Sequence, residues 1–196
     1  TVTLNYLVDG DHQDATFTSG GSNTAIQSDT TAGTRGTSSI DTISGSDGAT
    51  AAADIHLVSS GNAGAIISAT KFDTITDFGA TDVVNYTENV MTIVNGSVST
   101  TAGTAAVTAA GIATFNAADD TLAEKIVATE AGINASGAAA QGQVAAFMHG
   151  SDAYVFISDG TDGVDINDSM LMLTGVDLTA TATDTITLAG GDFTIA

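Results

Sequence analysis

The chain has 196 residues, 43% of them hydrophobic and only 5% aromatic, and its 23 acidic residues against three basic ones give a formal net charge of −20. This charge argues against nucleic acid or an anionic membrane surface as a partner, because each would repel the chain over a Debye length of roughly 8 Å at physiological salt. The lack of cysteine excludes a disulfide framework, a thiolate zinc site and a cysteine nucleophile. No apolar run approaches the roughly 18 residues of a membrane span, so we expect no membrane insertion.

The predicted elements begin with a strand over residues 1–8, where side chains alternate between apolar and polar. Residues 18–35 are rich in Ser, Thr and Gly, which is typical of a loop or of a degenerate coil of a β-roll. Two short apolar runs, residues 55–58 and 65–68, predict buried strands.

Aspartates recur beside glycines between residues 40 and 54. The run Asp41-Thr42-Ile43 matches the D-x-U half of the nonapeptide G-G-x-G-x-D-x-U-x, in which glycines allow a tight turn while Asp and backbone carbonyls bind Ca²⁺. Asp47 and Asp54 follow in the same segment. An ordinary Asp-Gly β-turn is the alternative interpretation.

The most informative segment is residues 71–85, K-F-D-T-I-T-D-F-G-A-T-D-V-V-N. Its period of two predicts a strand on which Asp73 and Asp77 point to one face with Ile75 between them, and Asp82 returns after a turn. Carboxylates so close repel each other unless a cation lies among them. Because Ca²⁺ prefers oxygen ligands such as Asp, we predict that it binds within the set Asp41, Asp47, Asp54, Asp73, Asp77 and Asp82. An acidic surface that serves solubility is the alternative.

The second half of the chain predicts one helix among strands. Residues 90–94 predict a strand and Asn95-Gly96 a hairpin turn, whereas the Thr, Ala and Ser run at 98–107 predicts no defined element. Residues 116–133 predict a helix with a capping box of Thr121 and Glu124, an apolar stripe that covers a sheet face, and an end at Gly132 or Gly137. Strands are predicted at 144–148, 153–157, 170–173, 185–188 and 193–195, the first two joined by a hairpin turn at 149–152.

Catalytic patterns are not found in the sequence. There is no G-x-S-x-G, H-E-x-x-H or phosphate-binding loop, and the run from Asp159 to Asp165 lacks the ligand spacing of an EF-hand. His12, His56 and His149 are far apart in sequence, and each is better interpreted as a surface or structural histidine than as a ligand. We therefore expect no enzymatic activity.

Segment 71–85 resembles the signature D-x-I-x-D-F-x-x-G-x-D-x-I-D that closes the calcium-binding β-roll of RTX (repeats-in-toxin) proteins, which are exported by type I secretion. The residues that carry the likeness are Asp73, Ile75, Asp77, Phe78, Gly79, Asp82 and Val84, with Asn85 in place of the family's Asp and a shorter turn. Residues 152–160 resemble the D-x-Y-V-F-x-x-D-G segment of RTX-type surface-layer and adhesin C-termini. The last six residues, G-D-F-T-I-A, resemble an uncleaved type I secretion signal.

The resemblance implies a mainly β chain, with a degenerate parallel β-roll or β-solenoid region at 1–90 and a β-sandwich-like domain with one covering helix at 91–196. It implies a calcium-stabilised, non-catalytic module of a secreted surface-layer or adhesin protein, with the type I secretion machinery as a partner and self-assembly into a surface lattice. The alternative is the C-terminal export domain of a secreted protease or lipase, which the sequence preceding Thr1 would reveal by a zinc or serine motif.

Deletion of residues 190–196 tests the secretion signal. From the sequence we expect this deletion to abolish export in a type I secretion assay and to leave the fold nearly intact, because the motif is short and terminal. Unaltered secretion of the shortened chain would contradict the assignment of the signal.

Overall fold

A computed structural model describes residues 26–28, 42–43, 55–58, 72–80, 82–86, 88–94, 100–135, 140–179, 186–189 and 192–195. The predicted strands at 1–8 and 65–68 and the predicted Asn95-Gly96 hairpin lie outside these ranges.

The described part is mainly β, as predicted, with one helix. The strands are β1 (Ile26–Ser28), β2 (Thr42–Ile43), β3 (Ile55–Val58), β4 (Asp73–Ile75), β5 (Val83–Tyr86), β6 (Thr92–Ile93), β7 (Ala106–Val107), β8 (Ala113–Thr114), β9 (Gln143–His149), β10 (Asp152–Ile157), β11 (Ser169–Leu173), β12 (Ile186–Ala189) and β13 (Asp192–Ile195). The helix α1 spans Leu122–Asn134.

Two larger sheets share the strands. Sheet A has the order β1-β3-β5-β13-β12, and sheet B has the order β2-β4-β11-β10-β9-β6, while β7 and β8 form a separate pair. Up to β6, successive strands alternate between the two sheets, and β1, β3 and β5 pair in parallel. In this register Ile26, Ile55 and Val83 are 29 and 28 residues apart, which is not the spacing of a nonapeptide repeat. A complete β-roll or solenoid is not seen in the described ranges.

The predicted boundary between residues 90 and 91 stays a prediction, but hydrogen-bonded strands join its two sides. β4 pairs in parallel with β11, and β5 pairs antiparallel with β13. The apolar cluster between the sheets likewise combines the two parts of the chain. It includes Ile75, Val84, Val155, Leu171 and Phe193, each fully buried.

The opposite face of sheet B is also buried. There Phe147, Phe156 and Met170 pack with Ile126 and Ile133 of α1 and with side chains of the β7–β8 pair. The helix thus covers a sheet face, as its apolar stripe predicts, and sheet B carries apolar residues on both sides. This explains why β10 reads Ala-Tyr-Val-Phe-Ile without polar alternation.

The C-terminal strands follow the prediction within one residue at each end, and β9 and β10 form the predicted hairpin, with His149 opposite Asp152. Gly150 in this turn has a φ of 67°, which an L side chain rarely adopts. Two predictions were wrong in extent. The strand predicted at 90–94 is only Thr92–Ile93, and the run at 98–107, predicted to lack defined structure, contains β7.

The helix begins later than residue 116. Thr121 is its N-cap and accepts a hydrogen bond from the Glu124 backbone N–H, while the Glu124 side chain accepts one from the Thr121 backbone N–H, so the predicted capping box is confirmed. Asn116 and Asp119 do not cap the helix. Asn116 accepts from the Ala118 backbone N–H, and Asp119 accepts from that of Gly103, so each stabilises the preceding loop instead.

Of the two predicted helix ends, Gly137 lies outside the described residues, and Gly132 does not end the helix but lies inside its last turn. The glycine allows the helix to approach the residue before β7, where the Ala105 N–H donates to the Ala128 carbonyl at 2.8 Å. A Cβ atom at position 132 would lie 2.4 Å from the Ala105 carbonyl oxygen. The glycine is therefore required by close packing rather than by a helix end.

Gly132→Ala should lower the free energy of unfolding by about 1–2 kcal/mol, because the backbone clash exceeds the gain of about 1 kcal/mol in helix propensity. Urea denaturation followed by circular dichroism measures the change. Val127→Ala, at a position 43% exposed on the same helix, is the control and should be neutral or slightly stabilising. A more stable Gly132→Ala variant would contradict the packing argument.

The C-terminal residues form part of the fold. β13 lies between β5 and β12 in sheet A, and Phe193 is fully buried, with its ring centroid 6.3 Å from that of Phe78. The expectation that deletion of 190–196 would leave the fold nearly intact is therefore wrong. The motif of residues 191–196 is visible in the sequence by itself, whereas its partner strand β5 lies 107 residues earlier, at Asn85.

Phe193→Ala should destabilise the protein by about 3–5 kcal/mol, the usual cost of truncating a fully buried phenylalanine. Thr194→Ala, at the next position in the same strand, removes one long hydroxyl contact to the Thr187 carbonyl and should cost less than about 1 kcal/mol. Equal midpoints of urea unfolding for the two variants would show that β13 does not contribute to the core.

Candidate functional site

The acidic segment after residue 71 is the first candidate. Of the six predicted calcium ligands, Asp41, Asp47 and Asp54 lie outside the described residues. Asp73 is 2% exposed, Asp82 is 4% exposed, and Asp77 is partly buried. The structure therefore places two of the three described ligands inside the protein rather than on its surface.

The strand ends earlier than its sequence pattern predicts. β4 ends at Ile75, so Asp73 and Ile75 share a face as expected, but Asp77 lies in the bend that follows. Phe78 then turns into the cluster between the sheets, where Ile75 also lies. The period-two pattern of residues 72–78 thus forms a strand over only three of its seven residues.

Asp82 closes the turn that leads into β5. Its Oδ2 accepts a hydrogen bond of 2.7 Å from the Gly79 backbone N–H, and its own N–H donates to the Gly79 carbonyl at 3.0 Å. This reciprocal pair holds the side chain in place. The turn predicted before Asp82 is therefore confirmed, and the Asp82 side chain closes it.

His56 lies beside these carboxylates. It is on β3, opposite Val84 of β5, and is 3% exposed, with its ring centroid 6.0 Å from that of Phe78. Burial lowers the pKa of His56 below its usual 6.5, although the charges of Asp82 and Asp77 oppose this shift. The imidazole is therefore neutral at pH 7, and neither ring nitrogen has a hydrogen-bond partner in the described part of the protein.

The geometry of these residues bears on metal binding. Across the described ranges, no three His, Asp or Glu side chains are placed so that they could hold one ion. Asp73, Asp77 and Asp82 therefore do not by themselves form a calcium site, and a complete ligand set would need further oxygen atoms.

A second polar cluster, which the sequence reasoning missed, lies where α1 ends against β10. Glu130 is 1% exposed, and Ser158 and Asp168 are fully buried. The Glu130 Oε1 atom accepts from the Asn134 Nδ2 atom at 2.8 Å and from the Ser158 hydroxyl at 3.3 Å. Glu130 is thus anchored to both the helix and the strand end.

Asp168 organises the loop that follows β10. Its Oδ1 accepts from the Asp159 backbone N–H at 3.0 Å, and its Oδ2 accepts from that of Asp165 at 2.8 Å. Ser158 connects this loop to Glu130, because its hydroxyl oxygen also accepts from the Gly160 N–H. We call Glu130, Asn134, Ser158 and Asp168 the acid cluster.

Burial raises the pKa of both carboxyl groups in the acid cluster. The pKa of Glu130 rises to about 7, through desolvation first and the nearby Asp168 charge second. Desolvation raises the pKa of Asp168 to about 6, against the opposing effect of its two backbone N–H donors.

A signal for this cluster was present in the sequence. Glu130 falls on the apolar stripe of the helix, four residues after Ile126 and three before Ile133.

The only helix in the described ranges, α1, is too short and too polar to cross a bilayer. No protein-family model matches the chain, and no curated protein matches it.

Proposed function

We propose that the chain is a non-catalytic structural module, the calcium-stabilised C-terminal part of a secreted bacterial surface-layer or adhesin protein. The observation that carries this proposal is the burial of Asp73 and Asp82 beside the neutral His56, within a chain of net charge −20. Each buried negative charge in so acidic a chain adds to the repulsion that a bound cation would reduce.

Calcium would act here on stability rather than on chemistry. In the proposal, Asp73, Asp77 and Asp82 act together with Asp41, Asp47 and Asp54 as oxygen donors, and the ion reduces the repulsion among them. An ion that binds only the folded chain shifts the unfolding equilibrium toward the folded state. The low calcium concentration of the cytosol would then keep the chain loosely folded before export, and the exterior would complete folding.

The strand arrangement supports the family-level part of the proposal. β1, β3 and β5 pair in parallel in one sheet while β2 and β4 pair in parallel in the other. A degenerate β-roll or solenoid region would have such alternation, followed by antiparallel strands that extend both sheets. The C-terminal segment 191–196 would serve as the type I secretion signal before folding and as β13 afterwards. Self-assembly into a surface lattice is the role proposed for the folded module.

Calcium at 10 mM should stabilise the chain by about 1.4–2.7 kcal/mol per site, if the dissociation constant is in the roughly 10⁻⁴ to 10⁻³ M range of extracellular modules. Thermal melts in Ca²⁺ and in EGTA measure this increase. Asp73→Asn combined with Asp77→Asn keeps the side-chain shapes and should remove most of the increase. In EGTA the same variant should melt at or above the temperature of the unmodified chain, because it carries less negative charge.

Asp120→Asn combined with Asp162→Asn is the control, since it removes the same charge from two exposed positions. Its calcium-dependent increase should equal that of the unmodified chain. Magnesium at the same concentration separates specific binding from general screening. An equal response of both double variants, or no calcium uptake in titration calorimetry, would refute the proposed site.

A further inference from the structure

The acid cluster contains two buried oxygen atoms without partners. Glu130 Oε2 and Asn134 Oδ1 are both shielded from solvent, and neither has a hydrogen-bond partner within the described residues. The two side chains are already joined on their other atoms, since Asn134 Nδ2 donates to Glu130 Oε1 at 2.8 Å. One hydrogen atom shared by Glu130 Oε2 and Asn134 Oδ1 would satisfy both acceptors, each of which is otherwise costly to bury.

A neutral carboxyl group supplies that hydrogen atom. A carboxylic acid has one O–H donor and one carbonyl acceptor, and a primary amide has the complementary N–H donor and carbonyl acceptor. We propose that Glu130 is protonated in the folded protein and forms a cyclic acid–amide pair with Asn134, which acts as a pH-sensitive latch between α1 and the loop of residues 158–168.

The electrostatic surroundings favour a proton over a charge at this position. Glu130 lies in the last turns of α1, where the helix dipole is negative and disfavours an anion. Asp168 and Asp159 add negative charge nearby. Both Asp168 oxygens already accept backbone N–H groups, so Asp168 is the better site for the negative charge of the pair.

Other charged groups near the helix are directed elsewhere. The Lys125 ammonium group donates a hydrogen bond of 3.0 Å to the Met148 carbonyl, at the end of the β9–β10 hairpin that is opposite to the acid cluster. His149, Asp152 and Tyr154 are near that end as well, and β7 has no titratable residue. Two further charges lie on the loop: Asp162, which is exposed, and Asp165, whose backbone N–H donates to Asp168. The charge of Asp159 also contributes to the raised pKa of Tyr86.

The latch connects protonation to the order of the loop. Ser158 donates to Glu130 and accepts from Gly160, while Asp168 holds the backbone of Asp159 and Asp165. When Glu130 loses its proton, its Oε2 atom no longer donates to Asn134 Oδ1, the bond from Asn134 Nδ2 to Oε1 remains, and a second buried anion faces Asp168. The loop of residues 158–168 should then separate more readily from α1.

The direction of the pH effect follows from linkage. Because the pKa of Glu130 is raised in the folded state to about 7, the folded chain binds more protons than the unfolded chain above the ordinary value of 4.5. The stabilisation is complete below pH 4.5 and is lost as the pH rises through about 7. Between pH 5.5 and 8.5, this one group should raise the unfolding equilibrium constant about thirtyfold.

Glu130→Gln tests the latch. Glutamine keeps the size of the side chain and can form both hydrogen bonds to Asn134 without a titrating proton. We expect the advantage of the variant over the unmodified chain, measured as the unfolding equilibrium constant, to be about thirtyfold greater at pH 8.5 than at pH 5.5, with the thirtyfold dependence removed from its urea unfolding curves. Hydrogen exchange at Asp159 and Asp165, corrected for intrinsic rates, should accelerate with pH in the unmodified chain only.

Glu124→Gln is the matched control, because it removes the same charge from an exposed position of the same helix and retains the capping pattern. Its pH dependence should be that of the unmodified chain. An identical pH dependence in Glu130→Gln would overturn the proposal. So would one calcium ion per chain that stabilises the protein at pH 8.5 and is lost in Glu130→Gln, since a cation would then take the place of the proton.

A direct measurement covers the case in which Glu130→Gln fails to fold. The side-chain carboxyl carbon of Glu130 can be titrated by NMR in the unmodified chain. A midpoint near 7 supports the latch, and a midpoint near the ordinary 4.5 refutes it. The proposal does not depend on calcium binding by the aspartates of residues 41–82.

Discussion

The burial of sheet B on both faces is the constraint on which the rest of the structure depends. One face of β9, β10 and β11 packs against sheet A, and the other face packs against α1 and the β7–β8 pair. These three strands must therefore be apolar almost throughout, and polar groups are displaced to their ends. The acid cluster lies at one such end, next to Ser158.

Much of the second half of the fold could be predicted from sequence because local signals agree with the tertiary structure there. The continuous apolar run of β10 and the turn at Gly150 fix a hairpin, and Thr121 with Glu124 fixes a helix start. Gly132 was misjudged because a glycine required by a close neighbouring backbone looks the same in sequence as one that ends a helix. The pairing of β13 with β5 could not be predicted, since nothing local in residues 192–195 identifies a distant partner.

The two candidate sites also differ in how far the sequence alone predicts them. Asp73 and Asp82 stood out because acidic residues are conspicuous in a repeated pattern, but their burial depends on how the two sheets pack. Glu130 was overlooked although it interrupts an apolar stripe, because a single glutamate on a helix is usually a solvated residue. Its role depends on the hydrogen bonds that it accepts from Asn134 and Ser158, which only the structure shows. A charged residue in an otherwise apolar stripe is thus a more specific indication than a high density of acids.

The pairing of β5 with β13 limits the order in which sheet A can form during synthesis of the chain. Asn85 in this strand is paired with Asp192, 107 residues further along the chain. A ribosome releases residues in order, so β5 lacks its partner on one side in sheet A until residues 192 and 193 have been synthesised. Contacts of such long range form slowly. Sheet A can therefore be completed only late, after all of the residues between β5 and β13 are available.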